Sequence, residues 1–200
     1  MSTPTGEPRR ADARRNRARL LAAAAELFAE RGEAVSTEDV ARHAGVAVGT
    51  VFRHFPTKQD LLTSILKERL AGLLDRAREL ASGDDPGGAL FAFFETVVDE
   101  ATADRAVIAL LARTGVEVRL DVSLRPLRPD LARLLDLAQQ AGTVRRGIRP
   151  DEVDALLTAA CHGALHGGWD ADLRQRTVAI VFQGLAPVES TDPWSPATRA

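Results

Sequence analysis

Apolar residues recur every three to four positions along most of this 200-residue chain, the spacing that lays a stripe along one face of an α-helix. Leu20, Ala24, Leu27, Phe28 and Arg31 predict a first helix from about Asp12 to Arg31, stopped by Gly32. A second starts after Ser36, whose hydroxyl can cap it while Glu38 and Asp39 place negative charge in its first turn, and it runs to about His43. Gly45 supplies the positive φ of a tight turn. A third helix, Val48 to His54, then buries Val51 and Phe55 against the second and leaves Val48, Gly49, Thr50 and Arg53 pointing outward. Pro56 ends it, and Thr57 with Asp60 opens a long fourth helix, Lys58 to Ala81, whose apolar face is broad enough to touch two bodies.

The same reading predicts a fifth helix from near Pro86, with Phe91, Phe94, Val97, Val98 and Ala101 inward, and a sixth over about Arg105 to Arg113. Between Gly115 and Pro129 the run VEVRLDV alternates like a strand, but a single strand has nothing to pair with, so a loop is expected. A seventh helix covers about Asp130 to Gln140, Pro150 opens the eighth, which reaches about His166, and a ninth runs from about Asp170 to Gln183. The fold class is all-α, with about nine helices. The expected domains are residues 1–57, residues 58–186 and a flexible tail, 187–200, with Met1 to Ala11 disordered.

The net charge of −2 argues against a nucleic-acid partner only until it is divided along the chain. Residues 1–58 hold ten Lys+Arg against seven Asp+Glu, leaving sixteen against twenty-one for the rest. The basic excess is densest in RRADARRNRAR, Arg9 to Arg19, where six arginines meet one aspartate. Such a run is the electrostatic footprint expected on phosphate, with Arg14, Arg15 and Arg17 as the arm; a solvated tail is the alternative. The N-terminus is polar and then arginine-rich, and the apolar run at Leu20 to Ala25 is too short to span a bilayer, so a cytoplasmic chain without a signal peptide is expected. The one cysteine, Cys161, excludes an internal disulfide framework.

Two short helices joined at Gly45, within Thr37 to Lys58, make a candidate helix-turn-helix, in which the first helix props the second so that its N-terminal residues enter the major groove. The run DVARHAGVAVGTVFRHFPTKQDLL, Asp39 to Leu62, closely resembles the signature of the TetR family of bacterial transcriptional regulators. AGTVRRGIRPDEVDALL, Ala141 to Leu157, is similar to the family's stretch between its seventh and eighth helices. The resemblance implies that Ser36 and Thr37 bring a hydroxyl and backbone amides to a phosphate, that Val48, Gly49, Thr50 and Arg53 face base edges, and that Phe52, His54 and Lys58 clamp the operator backbone. The chain departs from the family's pattern twice. Phe52 stands where a tyrosine hydroxyl usually donates to phosphate, and Ala47 where a serine usually caps the recognition helix, the latter at a cost of ~1 kcal/mol.

In the C-terminal body the eighth helix mixes Ala155, Ala159, Ala160, Gly163 and Ala164 with larger residues. Together with Leu173, Val178, Ile180, Val181 and Phe182 of the ninth, it could form a four-helix homodimer interface, which the resemblance also implies; burial within one subunit is the alternative. Phe91, Phe94, Leu110, Leu111, Trp169 and His162 are the residues expected to line a pocket for a largely apolar small-molecule effector, if they are not plain core. His162 and His166 stand four apart beside Cys161, but no third or fourth ligand lies nearby in sequence, so no metal and no cofactor is expected. No phosphate loop, nucleophile elbow or histidine–carboxylate motif points to an enzyme. The expected function is a ligand-responsive repressor that binds a near-palindromic operator as a homodimer; the alternative is a helical ligand-binding or adaptor protein that keeps the fold without operator binding.

Overall fold

The computed structural model describes the backbone of residues 7–187 and the side chains of residues 16–187. Among the described residues the regular structure is helical throughout, and no helix is long and apolar enough to cross a membrane. Helices α2 (Thr37–Ala44), α3 (Val48–His54), α4 (Lys58–Ala81) and α6 (Arg105–Arg113) lie where periodicity and caps place them. The first helix, α1 (Glu7–Arg31), starts earlier than about Asp12, which corrects the expected disorder of Met1 to Ala11 from Glu7 onward. Glu7, Arg9, Arg10 and Ala11 of the added turn are good helix formers, and Pro8 falls in a first turn, where its missing N–H has no helical partner to lose. Residues 1–6, and residues 188–200 of the expected tail, lie outside the described residues.

Helices α5 (Ala89–Ala103), α8 (Arg128–Gln140), α9 (Pro150–His166) and α10 (Ala171–Leu185) complete the expected set. The stretch expected as loop, residues 115–129, holds one more turn of helix, α7 (Leu120–Ser123), and a 3-10 turn at Arg125–Leu127. Leu120, Leu124 and Leu127 are all buried, so a spacing of four and three runs beneath the strand-like alternation and decides the local structure.

The chain divides into two compact units, the first containing Met1–Gly72 and Glu100–Arg119, the second Leu73–Asp99 and Leu120–Ala200. The first unit thus takes in part of α4 and all of α6 beyond residues 1–57. Its core joins Leu20, Leu21, Ala24, Leu27 and Phe28 of α1 to Val40 and Ala41 of α2, Val51 of α3 and Phe55 just after it, Leu61, Leu62 and Ile65 of α4, and Val107, Leu110 and Leu111 of α6. Phe28 and Phe55 are fully buried in it, and truncating either to alanine would cost ~3–5 kcal/mol. Arg31, expected on the stripe of α1, is exposed.

In the second unit α5 buries Leu90, Phe93, Phe94, Val97 and Val98, while Phe91 is half-buried. The sequence FAFF offers two phases for the apolar stripe, and packing selects the one through Phe93 rather than Phe91. Ala101, also expected inward, is half-buried. Leu131, Leu134, Leu135 and Ala138 of α8, Val153, Leu157, Ala160, Cys161, Ala164 and Leu165 of α9, and Val178 and Leu185 of α10 are also buried. Side chains fix its loops: Gln139 Nε2 donates to the carbonyls of Arg145 and Ile148, and the Thr143 hydroxyl bonds the Gly87 carbonyl at 2.8 Å.

Candidate nucleic-acid interface

Local chemistry holds the helix pair rigid. At the start of α2, Ser36 Oγ accepts the Asp39 backbone N–H while the Asp39 carboxylate accepts the Ser36 N–H, both at 3.1 Å, a complete capping box. Hydrogen bonds from the Ser36 side chain and backbone hold the Asp39 carboxyl below its ordinary range. At the other end Gly45 adopts φ 66°, and the N–H groups of Gly45 and Val46 return to the carbonyls of Arg42 and Ala41 at 3.3 and 3.0 Å. That is a Schellman closure, which needs a residue free of Cβ strain. The chain then enters α3 through Ala47, which makes no side-chain cap, as its methyl group requires. Pro56 ends the pair, and Thr57 and Asp60 exchange bonds at 3.1 and 3.0 Å to open α4.

Val51 is fully buried and anchors α3, which sends the opposite face outward. Val48 and Phe52 are 39% and 43% exposed, high for large apolar side chains. Gly49 is exposed with nothing within 4 Å of where a Cβ would stand, and Arg53 and His54 are exposed beside it. Thr50 and Thr37 are partly covered. A ridge of this make-up offers methyl groups for thymine, a guanidinium for guanine and a bare backbone for close approach.

Two of the expected phosphate contacts have partners inside the first unit. Lys58 Nζ donates to the Glu33 carbonyl at 2.7 Å and sits 5.3 Å from the centre of the Phe28 ring. Arg17 bonds Glu68 at 2.9 Å and stacks over Phe55 at 5.6 Å, tying α1 to α4. The side chains of Arg14 and Arg15 lie outside the described residues. Glu33 was not singled out by the sequence; its carboxylate also meets Arg113 of α6 at 2.8 Å. No local pattern could have found it, because the partners are far away along the chain.

The chain matches the family model of the bacterial regulatory proteins, tetR family, over residues 20–65, and that of the SbtR-like transcriptional regulators' C-terminal domain over residues 85–187. The chain belongs to the TetR family. An uncharacterised HTH-type transcriptional regulator of Mycobacterium bovis is 33% identical over 134 residues, 64% of this chain and 69% of the relative. The HTH-type transcriptional repressor KstR2 of Rhodococcus jostii is 36% identical over 96 residues, 47% of each chain. The crystal structure of the TetR transcription regulatory protein from Mycobacterium vanbaalenii covers 89% of this chain and 99% of its own, with 37% identity and a TM-score of 0.71. This TetR-family chain is therefore a DNA-binding transcriptional regulator, in a family of regulators rather than enzymes.

The residues expected to line an effector pocket fall in both units of this TetR-family regulator. Leu110 and Leu111 belong to the core of the first unit. In the second, Phe182 stands edge-on to Phe91 and Phe94, with ring centroids 4.7 and 5.5 Å away. Phe182 is thus turned to α5, and the sequence pattern assigned it to the interface instead. Trp169 folds over Gly163 and Gly167, close enough that a Cβ at either would strike the indole. His162 is exposed, paired with His166 at 4.9 Å between ring centroids. Cys161 is buried with Sγ 4.0 Å from the Val97 carbonyl, and burial pushes its thiol up to about 12, which leaves it unreactive at neutral pH.

Proposed function

We propose that this regulator binds a near-palindromic operator as a two-fold homodimer and releases it when a small, largely apolar molecule binds the second unit. The exposed ridge of α3 carries the reading: Val48, Gly49, Phe52 and Arg53 project from a short helix fixed by the buried Val51 and by closed turns at both ends. Val48, Gly49, Thr50 and Arg53 read base edges, while Phe52, His54, Lys58, the start of α2 at Ser36 and Thr37, and the basic run of α1 with Arg14, Arg15 and Arg17 hold the backbone. In this reading DNA binding resides in residues 1–57, and dimerisation with effector binding in residues 58–186 of a cytoplasmic protein.

One helix-turn-helix covers too little DNA for tight specific binding, and a two-fold dimer supplies a second at one helical turn's distance. The homodimer forms through α9 and α10, where Leu156 and Ala159, and Leu173 and Ile180, are exposed. The aromatic group of Phe91, Phe94 and Phe182 suits an apolar effector, and Trp169, packed over Gly163 and Gly167, is a separate candidate contact.

Selection of bound sequences from a random DNA pool tests the operator directly. Two inverted half-sites are expected, and a selected pool without symmetry refutes the two-fold mode. Arg53→Ala should relax the preference at one position per half-site, a loss of ~1–3 kcal/mol in discrimination. If the preference stays intact, Arg53 does not read bases.

A further inference from the structure

We propose that His162 and His166 are half of a transition-metal site that a second copy of this chain completes, four imidazoles holding one ion between two paired α9 helices. The inference rests on the α9–α10 homodimer proposed above. On one face of α9, Ala155, Ala159, His162 and His166 follow each other at spacings of four, three and four, and all are exposed. Histidines four apart on a helix face chelate one ion. The two rings are already neighbours, with centroids 4.9 Å apart. Ligand nitrogens around a tetrahedral ion lie roughly 3.3 Å apart, a distance the pair reaches by side-chain rotation.

A single chain cannot close such a site. Zinc and its neighbours take four ligands in closed sites, and among the described residues no group of three or more His, Cys, Asp or Glu is placed to hold an ion. A two-fold axis beside the pair turns two donors into four. Ala155 and Ala159 make that possible, because methyl side chains let two helices approach until imidazoles from both reach one centre. The acids nearest in sequence have partners elsewhere: Asp170 accepts the Leu173 N–H at the start of α10, Asp172 pairs with Arg176 at 3.8 Å, and Asp154 pairs with Arg128 at 2.7 Å. An all-imidazole donor set suits Zn2+, Co2+, Ni2+ or Cu2+ and excludes Mg2+ and Ca2+.

The test uses the full chain without an affinity tag, stripped with EDTA and then titrated with Co2+ and Zn2+, with sedimentation velocity run in parallel. The expected result is a dimer that takes up one ion per two chains, with the visible absorption of tetrahedral Co2+. His162→Gln and His166→Gln, both at exposed positions, should each abolish that absorption and leave the dimer in EDTA unchanged. A dimer that binds no Co2+, binds one ion per chain, or keeps its Co2+ spectrum in either variant overturns the metal site while the dimer stands. A chain that stays monomeric with and without metal overturns both readings.

Discussion

At the scale of single residues, Asp104 ties stability to pH. The residue is 6% exposed, and burial raises its carboxyl to about 6 from the ordinary 3.8, with Arg69 opposing the rise and Glu100 adding to it. Arg69 Nε lies between the two acids, 3.5 Å from Glu100 and 3.6 Å from Asp104. The folded chain therefore holds this proton more tightly than the unfolded chain does. Its contribution is complete below about 3.8 and is lost as pH rises through about 6, a swing of ~3 kcal/mol. Asp104→Asn should remove that dependence and raise stability at pH 7, measured as denaturant midpoints between pH 4 and 7; a pH profile parallel to that of the parent chain would refute it. Ala47 offers a second residue-scale test. Its backbone is extended, as a cap requires, and only a side-chain acceptor is missing. Ala47→Ser should stabilise the chain by ~1 kcal/mol, read from thermal unfolding.

At the scale of helices, Gly163 sits inside α9 beneath the Trp169 ring. Alanine there would gain ~1 kcal/mol in helix propensity, but its methyl must displace a rigid indole, and overpacking costs ~1–3 kcal/mol. Gly163→Ala is expected to destabilise the chain and shift the Trp169 emission; a more stable variant would show that the indole moves freely. What the sequence reveals at this scale depends on punctuation. Gly45, Pro56 and the Ser36 and Thr57 caps are strong local signals, so α2, α3 and the start of α4 are readable, as is the outward face of α3. In α5 three phenylalanines in four positions leave the phase undetermined, and only packing chooses Phe93 over Phe91. In α7 the valine alternation masks a leucine spacing of four and three. On α10 the apolar residues divide between two faces, Val178 and Leu185 buried, Leu173 and Ile180 exposed, a division composition does not reveal. Lys58 donates to a carbonyl 25 residues away, and Arg17 to a carboxylate 51 away, so neither partner is written near the residue.

At the scale of the whole molecule, the exposed apolar residues of α9 and α10 become an assembly question. Ile180 is 68% exposed, too open to contribute to its own chain's core. Ile180→Glu should leave the subunit folded yet monomeric in sedimentation and without measurable operator affinity; a dimer of unchanged strength would move the interface elsewhere. The first unit also constrains how regulators of this kind can be recombined. It is made of two separate lengths of chain, and the face of α1 that carries Leu20, Leu27 and Phe28 shares a core with Val107, Leu110 and Leu111 of α6. A chimera cut once, after Gly72, would transplant that face without its cover and expose it to water. Specificity can be transferred intact only by grafting two segments, so that α6 travels with the helices whose core it closes.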